Sequence, residues 1–168
     1  MTFEEYAFAR TSALVRLARL LTGDEHRAED LVQDVLARAY ARWARISRTD
    51  RPDAYVRRML VNAHHSWWRR RSSQEISVAD VHDRPGATDE AAGVAERDAL
   101  WRLVCGLPAR QRTVIVLRYY EDLDDASIAE IMDCSTGTVR THAMRALAAL
   151  RKRQEASASA SARTGGEF

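Results

Sequence analysis

The amino-acid sequence predicts an all-α protein made of two small helical domains joined by a flexible linker. Apolar residues recur at helical spacing on both sides of a central stretch that is acidic and has no such period. Near the C-terminus, two short amphipathic segments are separated by a turn typical of a helix-turn-helix. We therefore expect a first domain over residues 1–72, a linker over 73–93, a second domain over 94–153 and a disordered tail over 154–168.

The first domain is predicted to begin with two amphipathic helices. The first runs from Phe3 to Leu21 and ends at Thr22-Gly23, and the second begins at Asp24 or Glu25. On the outward face of the second helix, acidic residues precede arginines. This order agrees with the helix dipole, which is enough to explain it. The alternative explanation is that the face binds a partner. The residues expected to be buried on the two helices are Tyr6, Ala9, Ala13, Leu14, Leu17, Leu20, Ala28, Leu31, Val32, Val35, Ala39 and Tyr40, with Trp43 extending the second face.

A third helix is predicted from Ala54 to about Arg71, after a break at Pro52. Residues 54–74 hold five arginines and no acidic residue, interleaved with aromatic residues, histidines and Asn62. Single-strand binding requires this composition, because basic groups hold the backbone and aromatic rings stack on bases. Two adjacent tryptophans cannot share one helix face, so at least one is expected to be partly exposed or covered. In the alternative the arginines are solvated and the inward face holds Val56, Met59, Leu60, Ala63 and one tryptophan.

The central stretch from Ser72 to Asp98 has seven acidic residues and two arginines, and it gains no apolar period until Val94. This composition predicts a flexible linker that lets two DNA-contacting modules occupy separated sites. Its acidity is also a candidate mask for the basic faces of the free protein. Beyond it, a helix is predicted from Val94 to Cys105, and another begins at Pro108.

The stretch from Asp124 to Arg151 is the most informative of the chain. Residues 121–133 include six acidic residues and no basic one, whereas residues 136–153 include five basic residues and no acidic one. The turn between them is Asp133-Cys134-Ser135. Asp124 is expected to cap the first helix and Ser135 the second, each through its side-chain oxygen.

In a helix-turn-helix the second helix enters the major groove, and its N-terminal turns contact base edges. Gly137 allows a phosphate or base to approach the helix N-terminus closely. An amphipathic surface helix with a solvated arginine face is the alternative, but the charge reversal, the two caps and the turn length favour DNA binding. The residues placed for this contact are Thr136, Thr138, Arg140, Thr141 and His142.

Composition excludes several other classes of protein. The two cysteines, Cys105 and Cys134, are isolated, and with the five histidines they form no metal-ligand spacing, so no metal or other cofactor is expected. No apolar run approaches the length of a membrane span, and the N-terminus lacks the pattern of a signal peptide. We therefore expect a reduced cytoplasmic protein. The net charge of only +2 gives no global argument for nucleic acid, so the argument rests on charge distribution.

Four stretches of the sequence resemble bacterial RNA polymerase sigma factors of the extracytoplasmic-function (ECF) type, in their SigE-like actinobacterial form. Residues 28–35 are similar to the family's polymerase-binding helix and residues 107–112 to the opening of its C-terminal domain, while residues 128–131 and 134–140 are similar to its helix-turn-helix. The order and spacing of the four together are strongly specific. The resemblance implies that the two domains are sigma regions 2 and 4, with no catalysis of their own.

In this family the first domain melts and captures the −10 promoter element, and the second reads the −35 element as duplex. The resemblance implies promoter DNA and core RNA polymerase as partners, the latter through the clamp of its largest subunit and the flap of its second largest. An anti-sigma factor is a further partner in many members, and no membrane insertion is implied.

The resemblance also assigns site residues by position. It assigns polymerase binding to Asp30, Leu31, Gln33 and Asp34. It assigns binding of the −10 strand to Arg57, Arg58, Asn62, Ser66, Arg69, Arg70 and Arg71. It assigns binding of the −35 element to Ser135, Thr136, Thr138, Arg140, Thr141 and Arg145.

Some residues depart from the family pattern. Asp133 stands where glycine is usual in the turn, and aspartate tolerates the left-handed conformation better than most residues. Asp124 replaces the usual serine or threonine cap and Ser127 replaces the glutamate three residues later, which predicts a one-sided cap instead of a capping box. Ser66 stands where asparagine or aspartate is common.

Two other functions compete with a promoter-specificity subunit. A stand-alone helix-turn-helix regulator explains residues 124–151, but it gives no role to the acidic helix of the first domain or to the arginine- and tryptophan-bearing helix. An enzyme acting on DNA requires clustered carboxylates for a metal, or a nucleophile with its base. The sequence has no such constellation, so no catalytic residue is assigned.

Overall fold

The computed structural model describes residues 1–74 and 93–164. All regular secondary structure within these ranges is helical, which confirms the predicted all-α fold. The predicted linker lies almost wholly outside the described residues, as do residues 165–168 of the predicted tail. The helices are α1 (Phe3–Thr22), α2 (Glu25–Ala41), α3 (Trp43–Ile46), α4 (Pro52–Gln74), α5 (Gly93–Cys105), α6 (Ala109–Ile115), a π-helical segment (Val116–Tyr120), α7 (Asp125–Met132) and α8 (Thr136–Thr164).

Local hydrogen bonds fix the ends of the first two helices. Thr2 and Glu5 form a capping box at the start of α1, with backbone-to-side-chain distances of 2.8 and 3.2 Å. Gly23 ends α1 in the left-handed conformation, with φ of 71°, and its N–H bonds back to the last turn at 2.8 Å. The side chain of Asp24 then accepts a first-turn N–H of α2 at 3.0 Å. This tight connection places α1 and α2 against each other.

Helices α1 to α4 form the N-terminal lobe, in which α4 packs against both α1 and α2. Two expectations for its core are wrong. Ala9 is exposed because the buried stripe of α1 follows Tyr6, Leu14 and Leu21, and Tyr40 stays at the surface, 62% exposed. The buried apolar side chains of the lobe are Tyr6, Leu14, Leu17, Ala18, Leu21, Ala28, Val32, Val35, Ala39, Ile46, Val56, Leu60 and Val61.

Helices α5 to α8 form the C-terminal lobe, in which α8 packs against α5, α6 and α7. The helix that begins after Pro108 widens at residues 116–120 into the π-helical segment, where the N–H of Glu121 bonds to the carbonyl of Val116, five residues earlier, at 3.1 Å. No local pattern in the sequence predicts this change of helix type. The sequence pattern places Leu100, Trp101 and Val104 on one apolar side of α5, but Leu100 is 58% exposed.

The two lobes pack directly against each other. Helix α4 contacts α6 and α7, and α1 contacts α5 and α6. A single buried apolar cluster includes residues of both lobes, among them Leu60 and Val61 of α4 and Ile128 and Ile131 of α7. The sequence predicted two domains joined by a flexible linker and gave no sign of this interface, because contacts between distant segments leave no local pattern.

Helix α8 continues to Thr164, whereas the sequence predicted disorder from Gln154 onward. The Arg153 guanidinium still bonds to the Leu103 and Gly106 carbonyls, at 3.3 and 2.9 Å, but residues 154–163 beyond it are all exposed. The alanines among them are the strongest intrinsic helix formers, and they extend a helix that is already nucleated by the packed turns before it. Across the described part of the chain, no helix is long and apolar enough to span a bilayer.

Candidate nucleic-acid interface

The helix-turn-helix of α7 and α8 has the caps and the turn that the sequence predicts. The carboxylate of Asp124 accepts the N–H of Ser127 at 2.7 Å, in a one-sided cap. Asp133 adopts the left-handed conformation, with φ of 53°, and ends α7. The hydroxyl of Ser135 accepts the N–H of Thr138 at 3.1 Å at the start of α8. These bonds fix the angle at which the chain enters α8.

The N-terminal turns of α8 face solvent. Thr136, Gly137 and Arg140 are exposed, and the side chain of Arg140 is 68% accessible. The hydroxyl of Thr141 donates to the Gly137 carbonyl at 3.0 Å, and that of Thr138 lies 2.9 Å from the Ser135 hydroxyl. The structure thus brings the predicted −35 residues together on the first turns of α8, and Arg145 lies one turn further along. The hydroxyls of Thr138 and Thr141 already form hydrogen bonds within this part of the chain.

Arg140 does not stand alone on this surface. Its Nε lies 3.2 Å from the Asp125 carboxylate, which also pairs with Arg118 of the π-helical segment. A shallow cleft beside α8 is lined by Arg118, Arg140 and Arg151, together with Met144, Leu147 and Ala148. Three guanidinium groups around one cleft make this face of the lobe attractive to phosphate.

The predicted −10 residues lie along α4 and divide into two groups. Arg57 and Arg58 are near its N-terminal end, and both form ion pairs with acidic residues of the C-terminal lobe. Asn62, one turn further along, is exposed. The second group comprises Ser66, Arg69, Arg70 and Arg71 in the C-terminal half of α4, where Arg69 Nη2 donates to the Ser66 hydroxyl at 3.3 Å.

The two tryptophans of α4 are half-buried against other side chains of the protein. The guanidinium of Arg27, from α2, lies 3.6 Å from the centre of the Trp67 ring, and that of Arg71 lies 5.1 Å from it. Trp68 meets Trp67 edge-on, and its ring also packs against His64. Both rings are half-buried, and the cover that was expected for at least one of them is supplied to Trp67 by Arg27.

Two histidines that the sequence grouped with the single-strand surface are buried. His64 is 1% exposed and His65 is 9% exposed. Burial lowers the pKa of His64 to about 3, and burial lowers the pKa of His65 to about 4, so both rings are neutral near pH 7. They belong to the interior and to the contact between the lobes, and not to the surface of α4.

The outward face of α2 carries the predicted polymerase contacts. Asp30, Gln33 and Asp34 are exposed, at positions three and four residues apart that lie on one side of a helix. Asp34 pairs with Arg38 one turn later, and Leu31 is half-buried at the edge of the same surface. The structure therefore brings these residues together on a continuous acidic face.

Sequence reasoning missed Arg112, which is 6% exposed. Its Nη1 donates to the Leu21 carbonyl at the end of α1 at 3.0 Å, and its Nη2 lies 3.4 Å from the Leu107 carbonyl. The sequence contained one signal, because Arg112 precedes an unbroken apolar and threonine run to Leu117 and so falls within a helix buried on most sides. In the described residues, no group of three acidic, histidine or cysteine side chains is arranged to hold a metal.

The protein has a helix-turn-helix whose second helix is exposed, together with an arginine-rich helix and an acidic helix face. These features are typical of DNA-binding proteins that act in transcription. Residues 9–74 match the family described as Sigma-70 region 2, and residues 97–150 match Sigma-70, region 4. The chain belongs to the extracytoplasmic-function (ECF) family of RNA polymerase sigma factors.

Relatives from several bacteria carry this assignment. The chain is 38% identical over 152 residues to the RNA polymerase sigma-E factor of Streptomyces coelicolor, covering 90% of this chain and 85% of that protein. It is 30% identical over 152 residues to the ECF RNA polymerase sigma factor SigW of Bacillus subtilis, covering 83% and 81%.

Solved structures agree on the fold. The sigma factor RpoE of Bartonella quintana, in complex with the anti-sigma factor NepR, has a TM-score of 0.69 at 23% identity and covers 91% of this chain and 96% of that chain. CnrH, in complex with the cytosolic domain of CnrY, has a TM-score of 0.65 at 21% identity and covers 92% and 88%. The arrangement of helices is thus similar in proteins whose sequences have diverged widely.

Proposed function

We propose that this protein binds core RNA polymerase in the cytoplasm and directs initiation at promoters that its two lobes recognise together. The C-terminal lobe reads the −35 element as duplex, and the N-terminal lobe holds the melted −10 strand. Nucleotide addition belongs to the polymerase, and the protein itself is not an enzyme. The domains proposed for these tasks are residues 1–72 and 94–153, joined by residues 73–93 and followed by the tail of residues 154–168.

The exposed N-terminal turns of α8 carry the −35 part of the proposal. The exposed Arg140 guanidinium fits the two acceptors of a guanine edge in the major groove, and the first-turn N–H groups fit a phosphate. The flanking cleft, with Arg118 and Arg151, adds backbone contacts that position the helix. Ser135, Thr136, Thr138, Thr141 and Arg145 complete the proposed −35 surface.

The face of α2 supports the polymerase contact. Asp30, Gln33 and Asp34 offer carboxylates and an amide, and Leu31 supplies an apolar edge. We assign them to the clamp of the largest subunit, and a contact of the C-terminal lobe to the flap of the second largest. The −10 strand is assigned to the arginines of α4 with Asn62 and Ser66. An anti-sigma factor is a further candidate partner, which trapping the protein from cell extract would identify.

Run-off transcription tests the proposed function directly. Purified core polymerase is incubated with and without this protein on a library of promoter fragments. We expect defined transcripts only when the protein is present, and co-elution of the protein with core polymerase in gel filtration. The proposal fails if the protein gives no promoter-dependent initiation and does not co-elute with core.

A further inference from the structure

Besides Nδ1 of His142, three buried nitrogen atoms have no hydrogen-bond partner in the described part of the chain. They are Nε of Arg112, Nε2 of His64 and Nε1 of Trp68, and each atom is enclosed by the protein. Arg112 is 6% exposed and His64 is 1% exposed, so bulk solvent does not reach them. Buried nitrogen atoms are nearly always hydrogen-bonded in proteins, and each one without a partner calls for an explanation.

The three groups lie at the contact between α4 and α6. His65 bonds to Thr113 at 3.0 Å, and the residues just before these two are His64 and Arg112. Burial lowers the pKa of the His64 ring, and the charge of Arg112 contributes to the same shift, so the two groups are close in space. The Trp68 ring meets the His64 ring edge-on, with the ring centroids 6.5 Å apart. One donor thus comes from the C-terminal lobe and two come from the N-terminal lobe.

Arg112 carries a buried charge that the described side chains do not neutralise. Its Nη1 and Nη2 donate to the Leu21 and Leu107 carbonyls, which are uncharged acceptors. Among the described residues, the one ionisable group that favours its charged form is the Cys105 thiol. Burial raises the pKa of that thiol, so Cys105 is neutral near pH 7. Because a buried charge without a counter-ion is costly, a guanidinium in this position calls for an anion.

An anion suits these nitrogen atoms better than a water molecule does. Arg112 Nε and Trp68 Nε1 are donors only, and neutral His64 is a donor at Nε2 in one of its two tautomers. A water molecule that accepts from them must still donate its own two hydrogens, and the Leu21 and Leu107 carbonyls already accept from Arg112. An anion accepts every one of these N–H groups and also neutralises the guanidinium.

We propose that a small, singly charged inorganic anion of the halide class binds between α4 and α6, held by Arg112, His64 and Trp68. The enclosed position favours a small ion of single charge, because the cost of desolvation rises with charge and three N–H groups compensate only part of it. Since the donors come from both lobes, the ion joins the lobes. Its binding adds to the stability of the folded protein in proportion to how far the site is filled.

Thermal unfolding of the full-length protein in two sodium salts tests the site. Sodium chloride and sodium gluconate are compared at the same concentration of about 100 mM, so that charge screening is equal. Of the two anions, only chloride is small enough to enter an enclosed site. For a site half-filled at about 5 mM chloride, we expect the unfolding midpoint to be about 3–6 °C higher in chloride than in gluconate.

Two tryptophan variants separate the anion site from the general effect of the salt. Trp68→Phe keeps an aromatic ring and removes one donor, so the chloride-dependent shift should fall to about one third, as expected for loss of one hydrogen bond to a charged group. Trp101→Phe also removes an indole N–H at a half-buried position, and this matched control should keep the full shift. Arg112→Met should abolish the shift, whatever its effect on the midpoint itself.

Bromide locates the ion directly, because it scatters X-rays anomalously. Crystals of the full-length protein grown in sodium bromide should show an anomalous peak in contact with the unpartnered nitrogen atoms of Arg112, His64 and Trp68. A water molecule at that place, without an anomalous signal, would overturn the proposal. Equal unfolding midpoints of the wild type in chloride and gluconate would also overturn it, as would equal chloride-dependent shifts in Trp68→Phe and Trp101→Phe.

Discussion

His65 of α4 and Thr113 of α6 join the two lobes through a bond of 3.0 Å between the ring Nε2 and the hydroxyl oxygen. The Thr113 hydroxyl donates its single proton to the Ala109 carbonyl at 2.8 Å. It therefore accepts from His65, whose Nε2 carries the proton in the neutral ring. The bond is buried on both sides, since Thr113 is fully buried and His65 is 9% exposed.

Acidification should weaken the folded, closed protein. Burial lowers the pKa of His64 to about 3 and that of His65 to about 4, against 6.5 for a free histidine. The stability that these neutral rings contribute is fully present above pH 6.5 and is lost as the pH falls from there toward 4. At pH 5 we expect a loss of about 2 kcal/mol per histidine. The charged and titratable groups around the rings, whose positive charge also lowers the two pKa values, are Arg27, Arg69, Arg110, Arg112 and His142.

Urea denaturation at pH 7.5 and pH 5 measures this effect. His26, which is exposed, supplies a matched control, because His26→Gln should leave the difference between the two pH values unchanged. Equal free energies of unfolding for the wild type at both pH values would contradict the prediction.

Thr113→Val should destabilise the protein by about 1–3 kcal/mol, because it leaves the buried His65 N–H without an acceptor. Thr11→Val is the matched control. The Thr11 hydroxyl likewise donates to a carbonyl one turn earlier in its own helix, that of Ala7 in α1, at 2.6 Å. We expect the control to change the free energy of unfolding by less than about 0.5 kcal/mol. Equal losses in the two variants would show that the contact between the lobes contributes nothing.

Arg112→Met should destabilise the protein by about 2 kcal/mol, since the bonds to the Leu21 and Leu107 carbonyls are lost while those carbonyls stay buried. Burial lowers the pKa of Arg112 because it disfavours the charged guanidinium. The two carbonyl partners offset part of this cost by accepting its N–H groups. Arg110→Met, on the same helix at an exposed position, is the control. Calorimetry measures the thermal unfolding of both variants. An unchanged unfolding midpoint for Arg112→Met would show that the two bonds of Arg112 do not stabilise the protein.

Two glycines should respond in opposite directions to alanine. Gly23→Ala places a Cβ 3.3 Å from the Cys105 sulfur at a residue with φ of 71°, and should cost about 1 kcal/mol. Gly137→Ala meets only the Ser135 hydroxyl at 3.7 Å within a helix, and should stabilise the protein by about 0.5–1 kcal/mol. Urea denaturation gives both values. A stabilising Gly23→Ala would contradict the left-handed helix end.

Arg140→Ala should impair recognition of the −35 element while sparing polymerase binding. The double change Gln33→Ala with Asp34→Ala should do the reverse, because the two surfaces lie on different lobes. Footprinting of holoenzyme and co-elution with core polymerase separate the two activities. Loss of one good bidentate base contact corresponds to about 1–3 kcal/mol, or roughly 5- to 150-fold in affinity. The exposed Arg163→Ala is the control for Arg140, and Glu4→Ala is the control for α2. Equal loss of both activities in both sets of variants would undermine the assigned roles.

The helix-turn-helix could be predicted in detail because its determinants are local. Asp124, Asp133 and Ser135 set the caps and the turn through bonds to residues at most four or five positions away. The acidic face of α2 was equally accessible, since helical spacing alone places Asp30, Gln33 and Asp34 on one side. These features needed no knowledge of the rest of the chain.

The contact between the lobes could not be predicted in the same way. Glu121 and Arg57 are separated by most of a domain and the linker, and neither residue is unusual in its own helix. The burial of His64 and His65 follows from the same contact, so their neighbours in sequence suggested a nucleic-acid surface instead. Helix propensity carries α8 to Thr164, whereas the alanine-, serine- and glycine-rich composition of residues 154–168 predicts disorder.

The Asp125 carboxylate has a consequence for how readily α8 engages DNA. Because Asp125 pairs with both Arg118 and Arg140, the proposed contact of Arg140 with a base would leave the carboxylate with Arg118 as a counter-ion. The penalty is small when the carboxylate keeps a counter-ion. A carboxylate left without any counter-ion would oppose the movement of Arg140. The pair with Asp125 therefore orients the Arg140 side chain before DNA binds, and breaking that pair has a small free-energy cost.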